Sequence, residues 1–267
     1  EDFAGGGLLL QGLGEVAVAG LELLEQADVL DGDHGLVREG RDQLDLFIGE
    51  GLDFSLDKNH AGSSLDHVVK AQVFMQDLND FPAFDEVWRE FFPTLPPRTT
   101  VGTTGLLVPG TLVEIDLIGI ARDGPFRREM VSIPEGVPSP MANYSVAANV
   151  GPFVFAAGQI ASDYRTGVPP EARVPDAFPY YGIPIKRQTE YIVRNLEKTL
   201  QAAGSSLDRV VKAQVFLKDV THFPAFDEVW KTFFPEPPPQ SVVGTTNLLV
   251  PGTLIEIDLT ALAGRHA

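Results

Sequence analysis

Cysteine is absent from all 267 residues of the sequence. Its absence excludes disulfides, thiolate zinc sites, iron–sulfur clusters and cysteine nucleophiles, and it permits a reducing compartment, so we expect a cytoplasmic protein. A metal site would then need clustered acids and histidines, and Asp28, Asp31, Asp33 and His34 come nearest to such a cluster. Their spacing does not fit that of a calcium-binding loop. They therefore indicate a solvated acidic loop, and no metal is expected.

Long apolar runs and positive charge are also scarce. No stretch approaches the ~18 uninterrupted apolar residues of a membrane-spanning helix, and the apolar region 8–24 lacks the positive start of a secretory signal. The sequence has 20 lysines and arginines against 37 aspartates and glutamates, for a net charge of −17. We expect neither a membrane nor a nucleic-acid partner, because phosphate binding relies on clustered Lys and Arg.

The chain contains one stretch twice. Residues 61–121 align with residues 203–263 without a gap, and about 43 of the 61 positions are identical. The offset between the copies is 142 residues (203 minus 61), which is too long for a solenoid unit and about right for one compact domain. The sequence therefore predicts a tandem duplication of one domain.

Residues 1–60 do not match the first half of the second copy. They hold 14 acidic residues against three basic ones, which gives −11 of the net charge, and they contain neither proline nor threonine. Either this half has diverged beyond recognition or another sequence has replaced it. Apolar residues at roughly helical spacing favour a helix between Val16 and Leu30. The predicted organisation is an atypical acidic segment (1–60), the C-terminal half of domain one (61–121), a linker (122–128) and a complete domain two (129–267).

The second copy predicts an α+β domain with the order β-β-β-α-β-α-β-β. The predicted elements are strands at 129–133, 144–148 and 153–160, a helix at 185–203, a strand at 210–217, a helix from 223, and strands at 241–248 and 253–262. The aromatic face of the second helix, around Phe226 and Trp230, is assigned to the core. The turn Val250-Pro251-Gly252 predicts a hairpin between the last two strands. The long proline-rich loop 161–184 is expected to be functional.

The second copy resembles the reactive intermediate deaminase family, also called the Rid, YjgF-like or L-PSP family. The matching pieces are 143–145, 154–160, 195–208, 210–216, 223–230 and 254–257, and in domain one the resemblance covers only 61–121. It implies a chorismate-mutase-like fold and a trimer-type homo-oligomer with pockets between neighbouring units. It also implies hydrolysis of a small enamine or imine to a ketone and ammonia, without a cofactor.

The resemblance further implies which residues form the site. A 2-iminoacid needs its carboxylate held, which Arg does bidentately, and it needs a carboxyl group to position water and shuttle protons. The family pattern places the Arg after a proline-rich turn and the Glu on the last strand, which points to Arg98, Glu114 and Glu256. Domain two has Gln240 at the Arg position. Because Gln cannot neutralise a carboxylate, we expect a different substrate, such as an aminomuconate-type compound.

Each copy retains residues of the family pattern that the other copy lacks, which suggests a composite site. Arg98 and Glu114 of domain one would combine with Tyr144, Gly158 and Gln159 of domain two. Two other functions stay open. One is a binding module for small metabolites without catalysis, and the other is an endoribonuclease, an activity named in the family against which the net charge counts. Asp85 and Asp227 are further departures, since family members hold Asn at these positions.

Overall fold

The computed structural model describes residues 63–175, 177 and 182–264, together with the short strand β1 (Val16–Ala19). The acidic cluster at 28–34 lies outside the described residues. The helix expected from Val16 is wrong for the first four positions, because these residues form a strand. Valine is β-branched and favours strands, and the neighbouring strand β4 (Val113–Ile120) offers an edge with which β1 pairs antiparallel.

The first copy folds around a four-stranded sheet. Besides β1 and β4 it contains β2 (Val68–Met75), α1 (Phe81–Phe91) and β3 (Arg98–Gly102). The strand order is β1-β4-β2-β3, in which β2 and β3 are parallel and α1 connects them. This connection places the start of β3 beside the helix, so that Arg98 can reach the α1 side chains.

The second copy forms a larger sheet and confirms the predicted element order. Its elements are β5 (Arg128–Met130), β6 (Ala147–Val150), β7 (Phe153–Ala156), β8 (Gln159–Ile160), α2 (Pro184–Ala202), β9 (Val210–Leu217), α3 (Phe223–Phe233), β10 (Gln240–Gly244) and β11 (Ile255–Leu262). The order in the sheet is β10-β9-β11-β7-β6-β5, and β8 pairs with β11. The strand expected at 153–160 is interrupted at Ala157 and Gly158, which separates β7 from β8.

The expected hairpin between the last two strands is wrong. Val250-Pro251-Gly252 does turn the chain, since the Thr253 amide donates to the Val250 carbonyl at 3.2 Å and Gly252 has a φ of 86°. The strands on either side of the turn do not pair, because β9 lies between them, parallel to β10 and antiparallel to β11. The local turn chemistry was identified correctly, but α3 determines which strand neighbours β10.

Each copy has its own aromatic core beneath its sheet. Phe226, Trp230 and Phe234 are buried against the second sheet, with the rings of Trp230 and Phe234 stacked at 4.1 Å. Phe84, Trp88 and Phe92 repeat the arrangement in the first copy. Burying each large side chain stabilises the fold by roughly 1.5–3 kcal/mol. The assignment of this helix face to the core is confirmed.

The two copies pack head to tail: both use the sheet face that lies opposite the helix, but they bury it on different strands, so identical sequences differ in exposure. In β2, Val69 and Lys70 are buried, whereas the equivalent Val211 and Lys212 of β9 are exposed. The acids show the reverse pattern: Glu256 and Asp258 of β11 are buried, and Glu114 and Asp116 of β4 are exposed. The outer face of β2 and β3 therefore lies on the second sheet. This contact brings Arg98 of one copy to Glu256 of the other.

Apolar clusters close this contact on two sides. Val69 and Ile120 of the first copy pack with Ala148, Val150 and Phe155 of the second. A separate cluster consists of Val101, Ile160, Phe216 and Leu248. Among the described helices, none has the length and apolar character needed to cross a membrane.

Candidate active site between the two copies

A cleft of about 680 Å³ opens where the two copies meet. The first copy contributes residues from α1 and β3, and the second contributes the 141–167 region, the turn after β10 and the β11 strand. Lining residues that carry polar side chains include Asp85, Arg98, Thr100, Tyr144, Ser162, Tyr164, Arg165 and Glu256. The cleft thus combines charged groups from both copies with apolar lining residues such as Phe81, Ile160 and Leu249.

Glu256 lies at the base of this cleft on β11 and is 4% exposed. Burial, with a smaller effect from the neighbouring Asp258, raises the pKa of its carboxyl to about 8; Lys70, the Thr100 backbone N–H and Arg98 oppose the rise. At neutral pH the group is therefore mostly a carboxylic acid, which can give up a proton and take it back.

Gly158 allows this carboxyl to sit where it does. A Cβ at position 158 would lie 2.0 Å from Glu256 Oε1 and 2.9 Å from Thr99 Cγ2, so the Glu256 carboxyl would have to move. The Gly158 amide also donates to the Arg98 carbonyl at 3.2 Å, across the contact between the copies. Glycine is thus required by a close approach of side chain to backbone.

A buried ion pair supports the floor of the cleft. Lys70 Nζ lies 3.2 Å from Asp258 Oδ2 and donates to Thr99 Oγ1 and to the Ala156 carbonyl, both at 2.7 Å. Thr99 Oγ1 in turn donates to Asp258 at 2.8 Å. Burial lowers the pKa of Lys70, and Asp258 counteracts this effect. Each buried charge is therefore compensated, as stability requires.

Arg98 is held in a polar and aromatic cage on the opposite wall. Its Nη2 donates to Asp85 Oδ1 at 2.5 Å. The guanidinium also lies 5.0–5.8 Å from the ring centroids of four aromatic residues, Phe81, Phe84, Trp88 and Tyr144. Burial lowers the pKa of Arg98, and Asp85 raises it. The Nη1 group is buried and has no hydrogen-bond partner among the described residues, and Arg98 is one of the residues that line the cleft.

Two tyrosines form the third part of the site. The hydroxyls of Tyr144 and Tyr164 are hydrogen-bonded at 3.0 Å, and Gln159 Nε2 donates to Tyr164 at 3.4 Å. Burial raises the pKa of Tyr144 to about 12, so this phenol keeps its proton at neutral pH. Tyr164 has a φ of 58°, a strained conformation held by a hydrogen bond from its amide to Ser162 Oγ.

The structure brings together four of the residues that the sequence indicated. Arg98, Tyr144, Gly158 and Glu256 line the cleft. Gln159 lies behind it, where it lines a small cavity of about 10 Å³ with Tyr144 and Gly158.

Two other indicated residues, Glu114 and Gln240, are among the described residues that line neither the cleft nor the small cavity. Glu114 is exposed on β4, so the expected pairing of Arg98 with Glu114 is corrected: Glu256, its equivalent in the repeat, faces Arg98. Gln240 is half-buried at the start of β10, with a buried Oε1 that has no partner in the described part of the chain. The reason is the head-to-tail packing, which buries β11 of one copy and β3 of the other.

Sequence reasoning missed three further residues of the site, Lys70, Asp258 and Tyr164. A lysine inside the apolar run of β2 was a signal for the first, and an acid alternating with apolar residues on β11 was a signal for the second. Neither signal distinguishes the buried copy from the exposed one. Tyr164 lies in the long loop that was expected to be functional, but nothing in the sequence indicates its orientation.

Comparison with known proteins gives matches over both copies. The family model described as "Endoribonuclease L-PSP" matches residues 52–121 and again residues 135–263. A RutC family protein of Pyrococcus abyssi is 38% identical over 127 residues, which cover 48% of this chain and 91% of the relative. In solved structures, yeast Mmf1 is 29% identical with a TM-score of 0.41, and the match covers 51% of this chain and 99% of Mmf1.

Two relatives carry the names of enzymes. The 3-aminoacrylate deaminase RutC of Acinetobacter baylyi is 31% identical over 127 residues, covering 48% of this chain and 92% of the relative. The 2-iminobutanoate/2-iminopropanoate deaminase of Dermatophagoides farinae is 31% identical over 112 residues, covering 42% and 79%. Each relative thus spans about half of this chain.

Proposed function

This chain belongs to the endoribonuclease L-PSP family, and we propose that its cleft between the two copies hydrolyses an enamine or imine to a carbonyl compound and ammonia. One observation carries the proposal: the Glu256 carboxyl lines an open cleft and is almost fully buried there, and this burial raises its pKa to about 8. The deaminase names of two relatives support the same reaction class.

The reaction needs one group that donates and accepts protons in turn. The Glu256 carboxyl protonates the enamine carbon or the imine nitrogen, which gives an iminium ion and a carboxylate. The carboxylate then takes a proton from water while the water oxygen bonds to the iminium carbon. The regained proton passes to nitrogen, the C–N bond breaks and ammonia leaves. The carboxylate finally removes the hydroxyl proton, which leaves the carbonyl product and restores the acid.

Arg98 orients the substrate for this sequence. Its free Nη1 donates to an acceptor oxygen next to the reacting carbon, and the aromatic cage fixes the guanidinium in place. Holding the reacting carbon near the carboxyl replaces a random encounter by a positioned one, which is a large part of catalysis.

The test is ammonia release from freshly generated enamines and imines. We expect Glu256→Gln to lower kcat/KM by roughly 10²–10⁴-fold, because the amide cannot exchange a proton. Glu114→Gln is the matched control, since the same residue of the other copy is exposed, and it should retain wild-type activity. Equal activity of the two variants would refute the assignment of Glu256.

Two other outcomes would identify a different function. Binding of these compounds without ammonia release would indicate a metabolite-binding module. Cleavage of RNA that is lost in Glu256→Gln would indicate a ribonuclease, which the net charge of −17 does not favour.

A further inference from the structure

We propose that Asp85 makes this cleft select substrates that carry a neutral acceptor, such as an amide or ester carbonyl, beside the reacting carbon instead of a free carboxylate. The inference rests on the proposed function, because it names the substrate class of the same site. The decisive property is the net charge of the buried groups that face the substrate.

The positive charge of Arg98 is already compensated. Its Nη2 is 2.5 Å from Asp85 Oδ1, and the two side chains are 1% and 12% exposed. Asp85 also accepts from the Asn143 backbone amide at 3.1 Å and from Asn143 Nδ2 at 2.7 Å. All these partners are donors, so the carboxyl must act as an acceptor only, which is the property of its ionised form. Asp85 is therefore a full negative charge beside Arg98.

The remaining buried groups add no net positive charge. Lys70 is paired with Asp258, and Glu256 is uncharged while it keeps its proton. A substrate carboxylate near Arg98 would lose its water, and the neutral Arg98–Asp85 pair would compensate it poorly, with the Asp85 charge close by. Such an uncompensated charge is unfavourable in a buried site.

What Arg98 does offer is N–H groups that Asp85 leaves unused. Nη1 is buried and without a partner in the described part of the chain, while Nη2 is used by Asp85. These N–H groups can bind a neutral carbonyl oxygen, which needs only a hydrogen bond, whereas a carboxylate also needs its charge compensated. The charge of Asp85, which is paired with Arg98, therefore favours the neutral ligand.

Among the described residues that line the cleft, Arg165 is the other cation. It is exposed at the rim, where solvent screens its charge. It therefore does not replace the charge that Asp85 removes from Arg98.

The second copy provides a matched comparison for Asp85. Its equivalent Asp227 has no arginine to pair with, since Gln240 occupies that position, and it forms its ion pair with Lys231 of the same helix instead. Asp227 does not line the cleft described here, so Asp227→Asn changes the same residue type without changing the charge at Arg98.

The experiment compares one enamine in two forms with the full chain. The substrates are 3-aminobut-2-enoate and its carboxamide, both freshly prepared, and ammonia release gives kcat/KM for each. We expect wild-type protein to favour the carboxamide by about tenfold or more, because juxtaposed like charges are strongly unfavourable. Asp85→Asn should raise kcat/KM for the free acid by a similar factor, while Asp227→Asn leaves the ratio unchanged.

A wild-type preference for the free acid would overturn the proposal, as would an unchanged ratio in a folded Asp85→Asn protein. The wild-type ratio needs no variant and decides the question if Asp85→Asn does not fold. If neither compound releases ammonia, the proposed function fails. In that case calorimetric binding to Glu256→Gln still tests selectivity, with the carboxamide expected to bind more tightly than the acid.

Discussion

Glu256 shows how burial changes what a residue can do. Glu114 occupies the same place in the other copy and is exposed to solvent. Glu256 is covered by the first copy and keeps its proton because the charged form is poorly solvated there. The resemblance indicated both glutamates equally, because a sequence does not tell which face the partner copy covers. Arg98 was found from its proline-rich turn, while the partner that modifies its charge was visible only as a departure from the family pattern.

The raised pKa of Glu256 predicts a pH dependence of stability. The folded state binds this proton more tightly than the unfolded state, whose pKa is near the ordinary 4.5. The contribution is therefore fully present below pH 4.5, and the free energy of unfolding falls as pH rises through the window up to about 8. Urea unfolding at several pH values should show a smaller decline for Glu256→Gln than for wild type. Glu114→Gln should follow the wild-type curve, and identical slopes in all three proteins would contradict the assigned shift.

A substitution at Gly158 is expected to reduce activity by an effect that is distinct from its effect on folding. Gly158→Ala places a methyl group within 2.0 Å of Glu256 Oε1 and so displaces the carboxyl. We expect kcat/KM for ammonia release to fall by roughly 100-fold, with a loss of stability of about 1–3 kcal/mol. Gly105→Ala is the control, because a methyl group added there would meet no described atom within 4 Å and the φ of Gly105 is ordinary. Activity that survives in Gly158→Ala would show that the carboxyl can act from elsewhere.

Among the helices and strands, those with a strong local sequence pattern were predicted correctly from that pattern alone. Strand β9 (Val210–Leu217) was predicted with its observed bounds, and α2 (Pro184–Ala202) was predicted to within one residue at each end. Hydrophobic periodicity and the flanking prolines and glycines determine such elements. The hairpin failed for another reason: the partner of a strand is decided by the helix that precedes it and not by the turn that follows.

Comparing equivalent lysines of β2 and β9 predicts how much stability is lost when a buried ion pair is broken. Lys70→Met leaves Asp258 buried and unpaired, so we expect a loss of about 3–5 kcal/mol in the free energy of unfolding. Lys212→Met makes the same change in the same sequence at an exposed position of β9 and should stay within about 0.5 kcal/mol of wild type. Denaturant titration of both variants measures the difference. Equal losses would mean that Lys70 is not buried against the second copy.

In the whole molecule, the head-to-tail contact leaves the outer face of β9 and β10 in the second copy exposed to solvent. Val211 and Val243 are 37% and 44% exposed, whereas their equivalents Val69 and Val101 are 0% and 1% exposed. The first copy uses this face to bind the second, so the second copy presents the same kind of surface to solvent. The homo-oligomer expected from the sequence would cover it.

A charged substitution on this exposed face is expected to change the molecular mass of the protein in solution. Wild-type protein is expected to form a homo-oligomer through it, and Val243→Glu should shift the protein to a monomer, because a buried unpaired charge is unfavourable. Light scattering after size-exclusion chromatography measures both masses. Leu107→Glu, at a position that is 82% exposed, is the control and should leave the mass unchanged. A monomeric wild type would refute the expectation.

The covalent link between the copies also affects how this protein can change. In an assembly of identical subunits, every mutation appears at all equivalent positions simultaneously. Here Arg98 and Gln240 are encoded separately, as are Glu256 and Glu114. A mutation in one copy can therefore reshape the cleft, while the equivalent residue of the other copy evolves under different selection. Duplication within one chain gives evolution, or an engineer, two independent versions of each residue.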